Sequence, residues 1–268
     1  MSGEDDVHHG GADHRGRSRL SRGGGTDAAV NRPSSRTTAS GRAGLRGFVR
    51  ENGLGLFFTV TFLLTLVGQA IAGQADFNNQ LVAEQLRPVG LAEYVTTSDF
   101  AVDVAENWQS EYLQFSLFIG VTVWLLQRGS PESKELHKGG TESDKDQRVG
   151  EYAGENSPRW AAATGWRRAL YSHSLLLVMG TIFVLSWLVQ SVTGVAAYNE
   201  QQLRRLQAPM SWPQYLGAAD FWNRTLQNWQ SELLAVASMV VLSTYLRQRG
   251  SPESKPVGAA HDATGVES

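Results

Sequence analysis

Two short polar stretches beside apolar runs carry the residues best suited to chemistry. Asn107-Trp108-Gln109-Ser110-Glu111 recurs as Asn228-Trp229-Gln230-Ser231-Glu232, and each copy ends on a carboxylate at the edge of an apolar block. Asn107 and Glu111 stand four apart, as do Asn228 and Glu232, so each pair shares one face of a helix. A carboxylate at bilayer depth costs about 2.5–3.5 kcal/mol at a helix centre and less near the interface. An acid kept there reads by default as a proton or cation site. The competing reading is interhelical glue, with Glu111 hydrogen-bonded to Gln69 or to backbone groups; such bonds average below about 1 kcal/mol each. Gln69 and Gln190 lie about one turn inside the outer ends of their apolar blocks, at a depth similar to the acids. The expected site is an outer-leaflet polar cluster of Gln69, Asn107, Glu111, Gln190, Asn228 and Glu232.

Other chemistries lack their residues. The 268-residue chain contains no Cys, which removes disulfides, thiol redox chemistry, iron–sulfur clusters and Cys-ligated zinc. A net charge of −2 gives no support for a nucleic-acid partner. No Gly-rich phosphate loop, His-Glu-x-x-His or Gly-x-Ser-x-Gly occurs. His173 is the one His near an apolar block, so a membrane haem has no axial pair, and Met179 and Met239 read as packing residues. His8, His9 and His14 sit in a patternless tail and read as incidental. The chain is expected to be no enzyme and to hold no cofactor and no metal.

The elements that must position the acids are membrane helices. No charge falls between Glu51 and Asp76, and Leu54 to Ala72 is predominantly apolar. Its length is roughly 28 Å at about 1.5 Å per residue, against a hydrocarbon core of about 30 Å. Leu170 to Gly194 forms a second long span. Tyr112–Leu126 and Leu233–Leu246 are shorter, so their helices are expected to begin upstream, near Ser98 as N-cap and near Ala219. The first of them is expected to run from about Asp99 to Gln127. Trp108 and Trp229 then mark one interface, with Trp124 and Tyr245 near the other. A soluble helix would show a polar face at every turn, and the two long blocks show none.

The chain reads as two copies of one unit. A constant offset of 121 residues lays Gln69 on Gln190, Gly73 on Gly194, Asn78 on Asn199, Pro88 on Pro209 and Tyr94 on Tyr215, without a gap. Identity is densest in the two pentapeptides above and in Arg128-Gly129-Ser130-Pro131-Glu132-Ser133-Lys134, repeated at Arg249–Lys255. The second block reads as a helix stop: Gly for a left-handed position, Pro to forbid continuation, Arg128 and Arg249 as interfacial anchors. Seven identities exceed what a stop requires, so a docking or phosphorylation sequence at Ser130 and Ser251 stays open. Two spans per unit make the repeats parallel, unlike the inverted repeats of many transporters. Four of the 24 Lys and Arg lie between paired spans, namely Arg87, Arg204, Arg205 and Arg224. The positive-inside rule therefore puts both termini and the central linker in the cytoplasm.

With these blocks in view, the chain resembles a family of small bacterial integral membrane proteins classified as a domain of unknown function. The likeness rests on Arg50-Glu51-Asn52-Gly53-Leu54, Gly68-Gln69, Asn107–Glu111 and Arg128–Lys134, and spans Phe48–Val257. The second copy departs from the opening motif, reading Tyr171-Ser172-His173-Ser174-Leu175. The resemblance implies a membrane protein and brings no reaction with it. The expected fold is an all-α integral membrane protein with four transmembrane helices as two parallel repeats of a helical hairpin. Residues 1–44 form a disordered cytoplasmic tail, 45–134 the first repeat, 135–165 a polar cytoplasmic linker, 166–256 the second repeat and 257–268 a disordered C-terminus. Its setting is the bacterial inner membrane, and its partners are the lipid bilayer and another copy or an envelope protein. Two functions compete: a non-enzymatic structural or interaction protein, and a proton- or cation-coupled carrier or sensor using Glu111 and Glu232. Reporter fusions after Lys134 and Lys255 should both read cytoplasmic and one at Val89 external. An external signal at the central linker would overturn both the topology and the parallel repeats.

Overall fold

The computed structural model describes residues 45–265. The expected tail over 1–44, with His8, His9 and His14, and the last three residues lie outside it. The described residues are all-helical apart from turns and loops. Eight α-helices follow in order: α1 (Leu45–Glu51), α2 (Gly53–Ala83), α3 (Leu91–Tyr94), α4 (Ser98–Val121), α5 (Trp166–Ser172), α6 (Ser174–Arg204), α7 (Trp212–Leu216) and α8 (Ala219–Tyr245). A single 3₁₀ turn lies at Gly150–Tyr152. The chain divides at Leu56 into two compact units, of which the second contains everything from Phe57 onward. In the first, the Asn52 side chain donates to the Phe48 carbonyl.

Helices α2 and α6 are each long and apolar enough to cross a membrane. In the second unit Phe57, Phe58, Leu64 and Val67 of α2 turn outward, Leu64 with 68% of its surface exposed. Such an exterior suits lipid and not water. Helix α4 begins where the sequence places it, but Thr97 and not Ser98 is the cap, its hydroxyl accepting from Phe100 N at 3.2 Å. The helix also stops at Val121, short of the expected Gln127. Thr122 Oγ1 turns back to Phe118 O at 2.6 Å, and Gly140 N donates to Val123 O at 2.7 Å. The β-branched run Val121-Thr122-Val123 gives the helix little reason to resist these competing bonds.

The same local contacts recur at the 121-residue offset. Asn78 Oδ1 accepts from Val89 N at 2.8 Å while its Nδ2 donates to Val89 O at 3.0 Å. Asn199 grips Met210 in the same two ways, both at 2.8 Å. Phe77, Tyr94 and Phe100 form an aromatic trio with neighbouring centroids 5.5 Å apart, and Tyr198, Tyr215 and Phe221 another at 5.7 Å. Gly73 and Gly194 lie against the phenol oxygens of Tyr94 and Tyr215, where a Cβ would collide. These contacts fold the segment after each long helix back onto that helix.

The Arg-Gly-Ser-Pro-Glu-Ser-Lys blocks are folded turns set apart from the helix ends, and not helix stops. Gly129 and Gly250 adopt φ of 83° and 81°, the left-handed conformation expected of them. Ser133 Oγ accepts from Gln127 N and Ser254 Oγ from Gln248 N, both at 2.9 Å, so a Gln before each block belongs to the motif. Ser130 Oγ accepts from Glu132 N and Ser251 Oγ from Glu253 N, both at 3.2 Å. Lys134 Nζ donates to Gly140 O at 3.1 Å. Lys255, buried to 1% exposure, donates to the carbonyls of Gly129, Ala260, His261 and Ala263. Residues Val257–Gly265, expected to be loose, are thereby tied to the first block, as Gly265 N also donates to Ser130 O.

The double grip of Asn199 on Met210 predicts the cost of removing it. Asn199→Ala should lower stability by about 1–3 kcal/mol, since two half-buried backbone groups lose their partner at once. Asn78→Ala should do the same. Thermal unfolding of the detergent-purified protein would check both.

Candidate functional site

Helix α4 is central: it packs closely against α6 along its length and also against α8. It runs antiparallel to α6, with Val102 beside Gly194, Ala197 and Gln201 at one end and Gly120 facing Leu176 at the other, where an added Cβ would stand 3.8 Å from the Leu176 methyls. It runs alongside α8 in the same direction, through Glu106–Arg224 and Gln109–Trp229. Gln109, fully buried, accepts a 2.7 Å hydrogen bond from the Trp229 indole. The two pentapeptides thus touch each other, through the Gln of one and the Trp of the other. Sequence reasoning singled out the Asn and Glu of each block and passed over the Gln. Its signal was the 3.6-residue spacing of Val102, Ala105 and Gln109 on one face.

The expected cluster assembles by half. Gln69, Asn107 and Glu111 line one groove between α2 and α4, of about 700 Å³, with Phe62, Leu66, Val104, Trp108, Tyr112 and Phe115. Asn107 uses its amide nitrogen on its own helix, donating to Asp103 O at 2.7 Å. Gln69 and Glu111 make no hydrogen bond or ion pair among the described residues. The Gln69–Glu111 bond that glue requires is therefore absent. Glu232 lies close enough to Glu111 for their charges to repel.

Gln190 goes elsewhere. It is buried to 1% exposure and donates to Thr225 Oγ1 at 3.4 Å, within an aromatic core. Asn228, like Asn107, caps a carbonyl of its own helix, Arg224 O at 2.9 Å. The interfacial residues also divide. Trp108 lies 6.3 Å from Phe62 at the groove, Trp229 points its N–H inward to Gln109, and Arg128 and Arg249 are exposed.

A family model described as a domain of unknown function (DUF6766) matches residues 45–266. The chain belongs to that family. No curated protein and no solved structure matches it.

In this DUF6766 protein a charge cluster joins α4 to α8 just beyond the groove, in the segments outside the apolar spans. Arg224 reaches Glu106 Oε2 at 3.0 Å, Asp103 Oδ1 at 3.5 Å and Asp220 Oδ2 at 3.6 Å. Tyr215 donates its hydroxyl to Asp220 at 2.9 Å, and burial followed by that bond pushes its phenol well above the ordinary range. Asp103 and Arg224 occupy equivalent places at the repeat offset, so the copies carry opposite charges where they meet. Burial lifts the carboxyls of Asp103 and Glu106 above their usual range, with Arg224 opposing the lift. A carboxyl raised in the fold favours the fold below its unfolded value and loses that contribution as pH rises through its folded one. Arg224→Met removes the opposing charge and raises both acids further. The variant should therefore be destabilised most at neutral pH and least below about pH 4. Melting curves of both proteins from pH 4 to 8 would check this, and a pH-independent difference would contradict it.

Proposed function

We propose that this is a non-enzymatic four-span protein of the bacterial cytoplasmic membrane that recognises a proton or cation at Glu111, as a small carrier or sensor. In this reading α2, α4, α6 and α8 cross the bilayer as two parallel hairpins, with both termini and the central linker in the cytoplasm. The apolar part of α4 from Trp108 to Val121 is about 21 Å long, and that of α8 from Trp229 to Tyr245 about 25 Å. Both are short for a core of about 30 Å, which draws the interface toward the groove and keeps Glu111 within reach of the outer solution.

The observation that carries this reading is the unpartnered carboxylate of Glu111 in an aromatic-walled groove. A glue residue would spend its oxygens on Gln69 or a backbone donor, and an acid without either is retained at a cost only function offsets. The structural reading keeps a specific observation too. Gln109–Trp229, between α4 and α8, and Gln190–Thr225, between α6 and α8, are the interhelical bonds expected of glue. Holding the bundle together thus falls to these residues and recognition to Glu111.

Glu111→Gln keeps the hydrogen-bonding shape and removes the charge. Membrane abundance should stay normal while a pH-dependent growth or flux phenotype disappears. Glu232→Gln should behave in the same way, since both copies of the pentapeptide carry the acid. Normal abundance together with a normal phenotype in the double variant would leave the structural reading alone.

A further inference from the structure

The internal repeat supplies a comparison for the groove. Position for position, Phe62, Leu66, Val104 and Trp108 of the first hairpin correspond to Phe183, Trp187, Thr225 and Trp229 of the second. In the second hairpin the Trp187 indole fills the equivalent space. It stacks on Phe183 with centroids 5.8 Å apart and planes at 17°, lies 5.7 Å from Trp229, and donates to Thr225 Oγ1 at 3.4 Å. In the first hairpin Leu66 stands in its place, Val104 replaces the hydroxyl, and about 700 Å³ stays open between the same walls. The protein thus carries beside the groove a filled version of it, and the filler is a flat aromatic ring system.

The polar equipment of the open copy is anionic. Glu111 has no partner, Gln69 has both amide functions free, and Glu232 adds a second negative charge nearby. Phe62, Trp108, Tyr112 and Phe115 line the same space. Ring faces are negative, so aromatic walls beside a carboxylate favour a cation with an apolar body. A metal ion is a poorer fit, since among the described residues no group of three His, Asp or Glu side chains is arranged to hold one.

We infer that the groove between α2 and α4 binds a flat aromatic organic cation, its ring packed against Phe62 and Trp108 as Trp187 packs against Phe183 and Trp229, and its charge at Glu111. This deepens the recognition reading proposed above and rests on it. The volume lies within the roughly 300–1,000 Å³ of small-molecule sites.

The test uses the full chain in lipid nanodiscs with ethidium, a flat aromatic monocation, as fluorescent probe, and pyrene as its uncharged counterpart. Ethidium should bind saturably, with roughly tenfold or greater loss of affinity in Glu111→Gln, while pyrene binding stays unchanged. Leu66→Trp rebuilds the second copy's filling in the first and should abolish binding of both probes. An elution profile like the wild type's would show that Leu66→Trp folds. If it does not fold, the Glu111→Gln contrast between the two probes decides alone. Non-saturable ethidium uptake, or equal ethidium affinity in wild type and Glu111→Gln, would overturn the inference. Tryptophan fluorescence followed against pH in wild type and Glu111→Gln separates the two levels. A Glu111-dependent transition without ethidium binding removes the aromatic cation and keeps the recognition reading, whereas loss of both removes both.

Discussion

The close approach of α4 to α6 is the constraint on which the second unit depends. In the membrane setting proposed above, apolar helices gain nothing from hiding leucine in lipid, so association rests on van der Waals contact between near backbones and on a few polar bonds. Small residues make the approach feasible. Ala105 and Ala197 are buried, Gly180 faces Ser116, and Gly120 faces the Leu176 methyls. Because α4 belongs to one repeat and α6 to the other, this seam joins the halves rather than closing either. The Gln109–Trp229 bond and the Arg224 cluster add α8 to the same seam. Enlarging any of the small residues would push apart the backbones that bring these polar groups into range.

Joining the halves through α4 has a consequence for their symmetry. The hairpin partner of α8 is α6, and aromatic side chains fill the space between them; the hairpin partner of α4 is α2, and the groove lies there. Substitutions at two equivalent positions, Leu66 for Trp187 and Val104 for Thr225, account for the difference without any change of backbone plan. The filled copy contributes packing and a satisfied Trp N–H. The open copy retains the acid without the filling.

The long helices and the contacts that recur at a fixed offset were legible because they rest on signals in the sequence itself: charge-free length in one case, identity at that offset in the other. The reach of α4 was not. An apolar run from Val121 to Leu126 reads as continued helix, and what ends it is a bond from Gly140, supplied by a segment that sequence marks only as a polar linker. The site shows the same division. Spacing along one helix placed Asn107 and Glu111 together, and depth placed Gln69 beside them. Gln190 escaped because its surroundings are set by Trp187 and Thr225, neither of which has a polar or aromatic counterpart in the first copy.

The repeated Arg-Gly-Ser-Pro-Glu-Ser-Lys block resolves in the same physical terms. Seven identities looked excessive for a helix stop, and each serine and lysine of the block has a partner within the turn or beside it. The serines cap backbone N–H groups, the glycine occupies a left-handed position, and the lysine collects carbonyls. Ser130 is fully buried, which removes it from reach of a kinase. The two lysines then diverge in what they hold. Lys134 pairs with Glu142 at 3.0 Å in the linker, whereas Lys255 takes four backbone carbonyls and no carboxylate. Burial pulls the Lys255 ammonium below its ordinary range, yet four carbonyl dipoles around it satisfy the donors that burial would strand. One of those carbonyls belongs to Gly129 of the other copy. The far end of the bundle is therefore fastened between repeats, as the α4–α6 seam fastens its middle, and the groove beside α2 is the part that neither fastening fills.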